Sequence, residues 1–358
     1  MTMPTPSATP ATLTTLVPLP EPLLELPDLG AEGVGADQQD QRRAAALREL
    51  AASRAWADLG WPELLRSLVA LGRTDVPLGR LTEGHVDALR ILRQADVPPA
   101  AGAVYAVWAS RSHATGVQAT PTDDGWLLSG TLRFASGVGM VDRALLPVWL
   151  DADRSVLLDL DVSGWQGAAD SWHTPAMVAS RSLTVDVRDV QAARTAQVGP
   201  EGFYLGRPGF FPGGVGVAAV WAGCAARVAD LTARATAAAP PAPARALRWG
   251  RVRTELACAA ALLATAAEVL AAGEDDPAHD PAHDPARGAG GRGQELSTEV
   301  RSGVAGCARR VLAECHALAG PAGLAYDPEL AQAILDADLY LAQQNRDADE
   351  GYLGALPR

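Results

Sequence analysis

Apolar and polar positions along the chain fall into three regimes. From Gln38 to about Gln94 apolar residues recur at helical spacing. Arg43 to Trp56 is rich in Ala and Leu, and Trp61-Pro62-Glu63 reads as a helix restart with proline near the first turn. Thr82-Glu83-Gly84-His85 opens a segment carrying Val86, Leu89 and Leu92. Val97-Pro98-Pro99 closes this region. Between about 100 and 200 the period drops to two. Leu145 to Leu150, Val156 to Val162 and Leu183 to Val190 are short β-type runs separated by Asp, Gly and Ser, and Leu183, Val185 and Val187 alternate with Thr184, Asp186 and Arg188. Beyond Gly209-Phe-Phe-Pro-Gly-Gly214, Ala/Leu/Val segments at about 213–236, 246–272, 295–319 and 328–347 predict four long helices with short breaks, an antiparallel bundle. Asp327-Pro328-Glu329 starts the last of them with a cap, a first-turn proline and an acid near the positive end of the helix dipole.

This pattern predicts a mainly α protein with a central β domain: a leader over 1–36, a short helical domain over 37–99, a β domain over 100–207 and a helical bundle over 208–358. The leader is rich in Pro, Thr, Ala and Leu without a steady period, so it is expected to be poorly ordered with local docking. Ala237-Ala-Ala-Pro-Pro-Ala-Pro243 is a stiff connector within the bundle. Pro277 to Arg287 is a tandem repeat inside an insertion over 273–294. Proline every four residues denies His279, Asp280, His283 and Asp284 the helix that would align them on a metal, so a solvated loop is expected.

The segment Gly125-Trp-Leu-Leu-Ser-Gly-Thr-Leu-Arg-Phe-Ala-Ser-Gly137 has the alternation of a hairpin strand. Trp126, Leu128, Leu132, Phe134 and Ser136 are expected on one face, and Leu127, Ser129, Thr131 and Arg133 on the other. Asp123-Asp124-Gly125 is turn chemistry, Gly130 suits a bulge or a close backbone approach, and Gly137-Val-Gly139 lets the chain turn away. The apolar face therefore ends in a hydroxyl, a pattern shared by an ordinary half-buried strand and by a cofactor-facing one.

Composition narrows the function classes. With 358 residues, 48% of them hydrophobic, the chain can bury a substantial core. A net charge of −12, from 30 Lys+Arg against 42 Asp+Glu, disfavours sequence-independent binding to nucleic acid or to an anionic membrane. Cys224, Cys258, Cys307 and Cys315 are widely spaced in helical segments without a CxxC pair, and are expected to be reduced, buried and structural. The N-terminus lacks a signal-peptide pattern. Pro208 to Ala226, uncharged but containing Pro212 and five glycines, reads as a turn and a buried helix and not a membrane span, so a cytoplasmic protein is expected. Gly214-Val-Gly216-Val-Ala-Ala219 matches a dinucleotide-binding turn but follows no strand, so its small residues are assigned to close helix packing. There is no G-x-S-x-G elbow, P-loop or H-E-x-x-H motif.

In this order, several short motifs resemble the acyl-CoA dehydrogenase family over roughly residues 80–358. Gly125 to Gly137 resembles the strand that faces the flavin. Trp172-His-Thr-Pro-Ala-Met-Val-Ala-Ser180 resembles the family's W-x-x-x-x-M-x-x-S segment, and Gly213 to Ala226 its first bundle helix. His316 to Leu324 is similar to a degenerate Gln-x-x-Gly-Gly-x-Gly turn, and Asp336 to Leu341 to the Arg-Asp helix that follows. The resemblance implies a helical N-terminal domain, a small β-barrel-like middle domain and a C-terminal four-helix bundle, with FAD between the last two. It implies that Phe134 packs on the isoalloxazine, with Ala135 beside it, that Ser136 hydrogen-bonds near N5 or O4, and that Gly320 and Gly323 permit close approach. It further implies an acyl-CoA or other acyl thioester substrate oxidised at its CH–CH bond, an electron-transfer partner and a homodimer or homotetramer.

Three departures matter. The family's glutamate base near the end of the last helix is replaced by Gln343-Gln344-Asn345-Arg346, leaving only Asp347, Asp349 and Glu350 just beyond; an amide is no base at neutral pH. Related flavin monooxygenases place a histidine near this point, where Asn345 stands. The family's Arg-x-x-Phe-Gly segment for the pyrophosphate should fall near Thr232 to Ala246, which is Ala/Pro-rich, and Val107 to Gly116 lacks its Gly-Ser-Asp, leaving Trp108 and Thr115 as flavin contacts. Asp347 and Glu350 are the weak candidates for a base. A monooxygenase-like enzyme fed with reduced flavin and a non-catalytic flavin-binding or oligomer-forming protein are the alternatives.

Overall fold

In a computed structural model of the protein, residues 19–24, 36–111, 115–240, 242–275 and 291–356 are described. Most of the leader, and the whole Pro277–Arg287 repeat with His279 and His283, lie outside them. The N-terminal helices are α1 (Ala36–Ala52), α2 (Trp61–Thr74) and α3 (Val76–Gln94). Seven strands follow: β1 (Tyr105–Val107), β2 (Gly116–Pro121), β3 (Gly125–Ala135), β4 (Arg143–Trp149), β5 (Ser155–Asp161), β6 (Leu183–Ala193) and β7 (Gln197–Val198). The short α4 (Phe203–Gly206) leads into α5 (Phe210–Ala235), α6 (Pro243–Asp275), α7 (Gly291–Tyr326), α8 (Pro328–Leu341) and α9 (Arg346–Ala355).

Two boundaries and one cysteine differ from the sequence expectation. Helix α3 begins at Val76, not near Thr82, because the Asp75 carboxylate caps it by accepting the Leu78 N–H at 3.0 Å and Pro77 sits in its first turn. Thr82 is thus a fully buried mid-helix residue. The helix expected over 328–347 stops at Leu341, and Asn345 caps a separate α9. Cys258 is exposed, while Cys224, Cys307 and Cys315 are buried and all four are free.

The sheet runs β6-β3-β2-β4-β5-β7. β4 pairs in parallel with β1 at one end and with β2 at the other, and the remaining pairings are antiparallel. β2 and β3 form the expected hairpin, closed by Thr122 N–H donating to the Gly125 carbonyl at 3.0 Å. Valine and leucine at Leu145, Leu146, Val148, Val156, Leu157 and Leu158 bury the centre of the sheet on both faces, which is why these two strands read as apolar runs and not as an alternation.

Helix α5 is the axis of the helical half. Val215, Ala218, Ala219, Val220 and Trp221 are fully buried, so the long apolar run forms a core helix. It crosses α2 backbone to backbone. A Cβ on Gly72 would lie 2.2 Å from the Val220 carbonyl oxygen, and one on Gly223 would lie 2.1 Å from that of Val69. Farther along α5, a Cβ on Gly214 would meet the Ser297 hydroxyl of α7 at 2.6 Å, which fits the packing role expected for this glycine. Residues 19–24 lie on the same unit: Leu23 N–H donates to Thr74 Oγ1 at 2.9 Å and Arg73 to the Pro20 carbonyl at 2.9 Å.

Gly72→Ala or Gly223→Ala should therefore force the helices apart and cost about 2 kcal/mol or more. Gly250→Ala, in α6 with nothing within 4 Å of the added methyl, should instead stabilise by about 0.5–1 kcal/mol. Urea unfolding midpoints distinguish the two signs.

Candidate functional site

Strand β3 carries the residues singled out from sequence, and its pairing with β6 slips twice, between Leu128 and Gly130 and between Leu132 and Ala135. At the first slip Gly130 has φ 151°, and a Cβ there would strike the Gly116 carbonyl oxygen at 2.2 Å. At the second, Phe134 adopts φ 59°, a strained conformation for a bulky residue. The expected single face therefore breaks. Trp126, Leu128 and Leu132 are buried, but Ala135 takes the next inward position and Phe134 is turned out, 50% exposed. One added residue in the ladder reverses which side chain points inward.

The strand ends in a tight turn. Ser136 N–H donates to the Phe134 carbonyl at 2.8 Å and Met140 N–H to the Gly137 carbonyl at 2.8 Å, with Gly137 and Gly139 both at φ 80°. A Cβ on Gly137 would lie 3.1 Å from Leu81 Cδ2, so the turn rests on α3. Trp108 stands behind it: its buried indole donates to the Ser136 carbonyl at 2.9 Å and its ring packs 6.0 Å from Trp165. Thr115 is half-buried at the entry to β2.

The outward Phe134 ring meets Trp172 edge-on, with ring centres 6.1 Å apart at 90°. Trp172 is held by donating from Nε1 to the Ala176 carbonyl at 2.8 Å, and Val178 in the same segment is exposed. This segment is fastened to α8, because the buried Asp336 carboxylate accepts the Met177 N–H and a 2.7 Å bond from Gln332, whose amide also reaches the Pro175 carbonyl. Burial pushes the Asp336 carboxyl up to about 6, against these hydrogen bonds. Beneath the turn, three buried hydroxyls are in line: Ser136 to Ser182 at 2.8 Å, Ser182 to Ser180 at 2.7 Å, and Ser180 donating to the Met177 carbonyl at 2.7 Å.

At the other end of α8 the proton-handling candidates are placed as follows. Asn345 caps α9, its Oδ1 accepting the Ala348 N–H at 3.2 Å. Asp347 is exposed in the first turn of α9, and the exposed Glu350 pairs with Arg346 at 2.8 Å. Gln344 is buried, accepting from Arg309 at 2.7 Å and donating to Ser302 and Asp349. Gly320 kinks α7 at φ 61° with open space around it, and Gly323 lies three residues further in the same turn.

A polar interior between α3, α5, α7 and α8 had no motif to announce it. Arg80 and Glu83 pair at 3.0 Å, and burial raises the Glu83 carboxyl to about 7 although Arg80 opposes this. Asp87, also raised by burial, lies 3.6 Å from Arg207. Arg301 lies over the Trp221 ring at 4.9 Å, and Trp221 meets Tyr340 edge-on at 6.2 Å. Trp221 Nε1, the Tyr340 hydroxyl and the Thr82 hydroxyl have no hydrogen-bond partner among the described residues. Glu83, Asp87, Arg90 and Arg207 open onto a cleft of about 30 Å³, bounded by Trp61 and by Gly209, Gly213 and Gly216 and large enough for about two waters. The sequence signal was the spacing of Arg80, Glu83, Asp87 and Arg90, which puts four charges on one face of a helix.

No family model matches the chain, and no curated protein matches it. Solved structures match its fold. FMN-bound TdsC from Paenibacillus sp. A11-2 is 18% identical with a TM-score of 0.69, over 89% of this chain and 90% of that one. XiaF from Streptomyces sp., in complex with FADH2 and glycerol, is 18% identical with a TM-score of 0.68, over 89% and 86%. The methanesulfinate monooxygenase MsuC from Pseudomonas fluorescens is 15% identical with a TM-score of 0.67, over 90% and 91%. The architecture is the acyl-CoA dehydrogenase-like fold shared by flavin monooxygenases.

The raised Asp336 carboxyl has a consequence for stability. The folded chain holds this proton more tightly than the unfolded chain does, so the group's contribution to stability falls as pH rises from about 4 to about 6. Asp336→Asn keeps an acceptor for Met177 and removes that decline. Its melting temperature relative to the parent should rise between pH 4 and pH 7, by up to the equivalent of roughly 2–3 kcal/mol. A difference flat across pH in thermal melts would contradict the assignment.

Proposed function

We propose that the protein is a flavin-dependent monooxygenase-like oxidoreductase that takes reduced flavin, FAD or FMN, from a partner reductase. The observation that carries this is Phe134. A strained backbone residue turns an aromatic ring out of the sheet, half-exposed, with Trp172 at its edge and a buried hydroxyl two residues on. Holding a bulky residue at positive φ costs on the order of 1–3 kcal/mol and recurs at ligand sites. An apolar ring offered in this way fits the flat face of an isoalloxazine.

The flavin, when bound and reduced, supplies two electrons to dioxygen, one oxygen atom going to the substrate and the other leaving as water. The chain's own part is to seat the ring on Phe134 and Trp172, to buttress the turn through Trp108, and to fix the Trp172–Ser180 segment against α8 through Asp336. This chemistry asks for no carboxylate to remove a substrate α-proton. That matches the end of α8, where the Asn345 amide is a helix cap and Glu350 is paired with Arg346. Oxidation of an acyl thioester would need such a base. The likeness in fold to the methanesulfinate monooxygenase MsuC favours the same choice. The exposed Leu247 and Val269 of α6 suit burial against a second copy of the chain in a homo-oligomer.

The test is flavin uptake followed by oxygen consumption. The purified protein should bind FMN and FAD, and should consume oxygen when reduced flavin is supplied by an NADH-linked reductase. Phe134→Ala should weaken flavin binding roughly tenfold or more, while Phe134→Tyr keeps it. A protein that takes up neither flavin would sink the reading. Anaerobic bleaching by an acyl-CoA panel would replace it with dehydrogenation.

A further inference from the structure

Strand β6 ends the sheet, and part of its outer edge is left open. Along an antiparallel strand, alternate residues turn their N–H and C=O to opposite sides. Thr184 turns outward: its N–H donates to Ser171 Oγ at 3.0 Å and its carbonyl accepts the Ala168 N–H at 2.8 Å. Asp186 and the N–H of Arg188 follow in the same alternation, and no described residue outside the sheet bonds to these backbone groups. The segment that covers Thr184 has left the edge by then. Trp165 closes a turn by donating its N–H to the Val162 carbonyl at 2.9 Å, and its ring packs on Trp108. What remains is an open slot of about 400 Å³, with Trp165 and Gln166 on one side and the edge from Val185 to Val190 on the other. Asp189, at φ 51°, ends the straight run.

The side chains on this edge are ordered as well. Asp186 and Arg188 share the outer face, pair with each other at 3.2 Å and are 53% and 83% exposed, and Asp186 also accepts from the Thr131 hydroxyl at 3.0 Å. Charges on an open edge ordinarily discourage pairing. Here the outcome depends on register. A second copy of the chain laid antiparallel on the same edge can be centred on Asp186, on Val187 or on Arg188. The first register sets Asp186 against Asp186, and the third sets Arg188 against Arg188. The middle one sets Asp186 of each copy opposite Arg188 of the other, and it brings each Arg188 N–H to the Asp186 carbonyl across the joint. It therefore uses the open backbone groups and leaves Thr184 to the bonds it already makes. We propose that the β6 edge is an interface between two copies of this chain, joined antiparallel about Val187 into one continuous sheet, with two reciprocal Asp186–Arg188 ion pairs across the two-fold axis and Trp165 flanking the joint. This contact is separate from the exposed face of α6.

The experiment is sedimentation velocity of the full chain over a range of protein concentrations. The parent should associate. Arg188→Asp alone, or Asp186→Arg alone, sets like charges against each other twice and should raise the dissociation constant of this contact by roughly tenfold or more. Where α6 also holds copies together, the loss appears as assemblies with half the subunits. The double variant D186R/R188D restores opposite charges and should associate as the parent does. An equimolar mixture of the two single variants should recover association too, because every Asp then meets an Arg; mixing cannot cure a folding defect in either variant. A parent that stays monomeric throughout, single variants that keep the parent's assembly, or a mixture that fails to regain it overturns the interface.

Discussion

Helices α2 and α5 approach so closely at Gly72 and Gly223 that neither backbone leaves space for a side chain between them. The other contacts of the helical half are set by this crossing. It fixes where α3, continuous with α2 through the Asp75 cap, lies relative to the bundle. In turn α3 supplies Leu81 as the floor beneath Gly137 and Arg80 and Glu83 as the wall of the polar interior. Close backbone approach trades side-chain burial for dense dispersion contact, and it tolerates no partial version: a single methyl must move a whole helix.

The second organising constraint is the extra residue near the end of β3. A strand that kept its register would bury Phe134 and leave nothing on that face but a smooth sheet. The slip between Leu132 and Ala135 lets the sheet keep its core through Ala135 while the aromatic ring is presented to the outside. The strain at Phe134 is held by bonds on either side: the Ser136 N–H to its own carbonyl, the Trp108 indole behind, and Gly137 tied to Ser180. The Trp172–Ser180 segment closes the arrangement from the other side and is anchored to α8 by a carboxyl whose proton affinity is raised by burial. The sheet and the bundle are therefore coupled at the seam where the flavin is proposed to sit.

Proton supply at this seam differs from what the family resemblance implies. The residues where a base is expected are engaged in ending one helix and starting another, whereas hydroxyls are buried and ordered under the turn. Of the buried ionisable groups, Asp336 is spent on the Met177 N–H and on Gln332, and Glu83 and Asp87 face a different cleft, walled by α2, α3 and α5.

The architecture was legible in the chain because it rests on local periodicity. Helical spacing in 38–94 and beyond 210, alternation in the middle, turn chemistry at Asp123-Asp124-Gly125 and the cap at Asp327 each depend on residues close in sequence, and all reappear in the structure. Gly130 was readable for the same reason, as a missing side chain in an otherwise continuous strand. What the sequence could not decide was which way particular side chains face. Phe134 and Ala135 exchange places through a slip against β6, fifty residues away. Trp108 becomes a buttress only because the turn at Ser136 arrives above it. Ser180 and Ser182 line up with Ser136 only where β3 and β6 end together, and Arg80, Glu83, Arg301 and Tyr340 meet only once three helices converge. Periodicity is a property of one segment and survives without a partner; hydrogen-bond direction, burial of charge and the exposure of one ring are properties of pairs, and only the folded chain brings the pairs together.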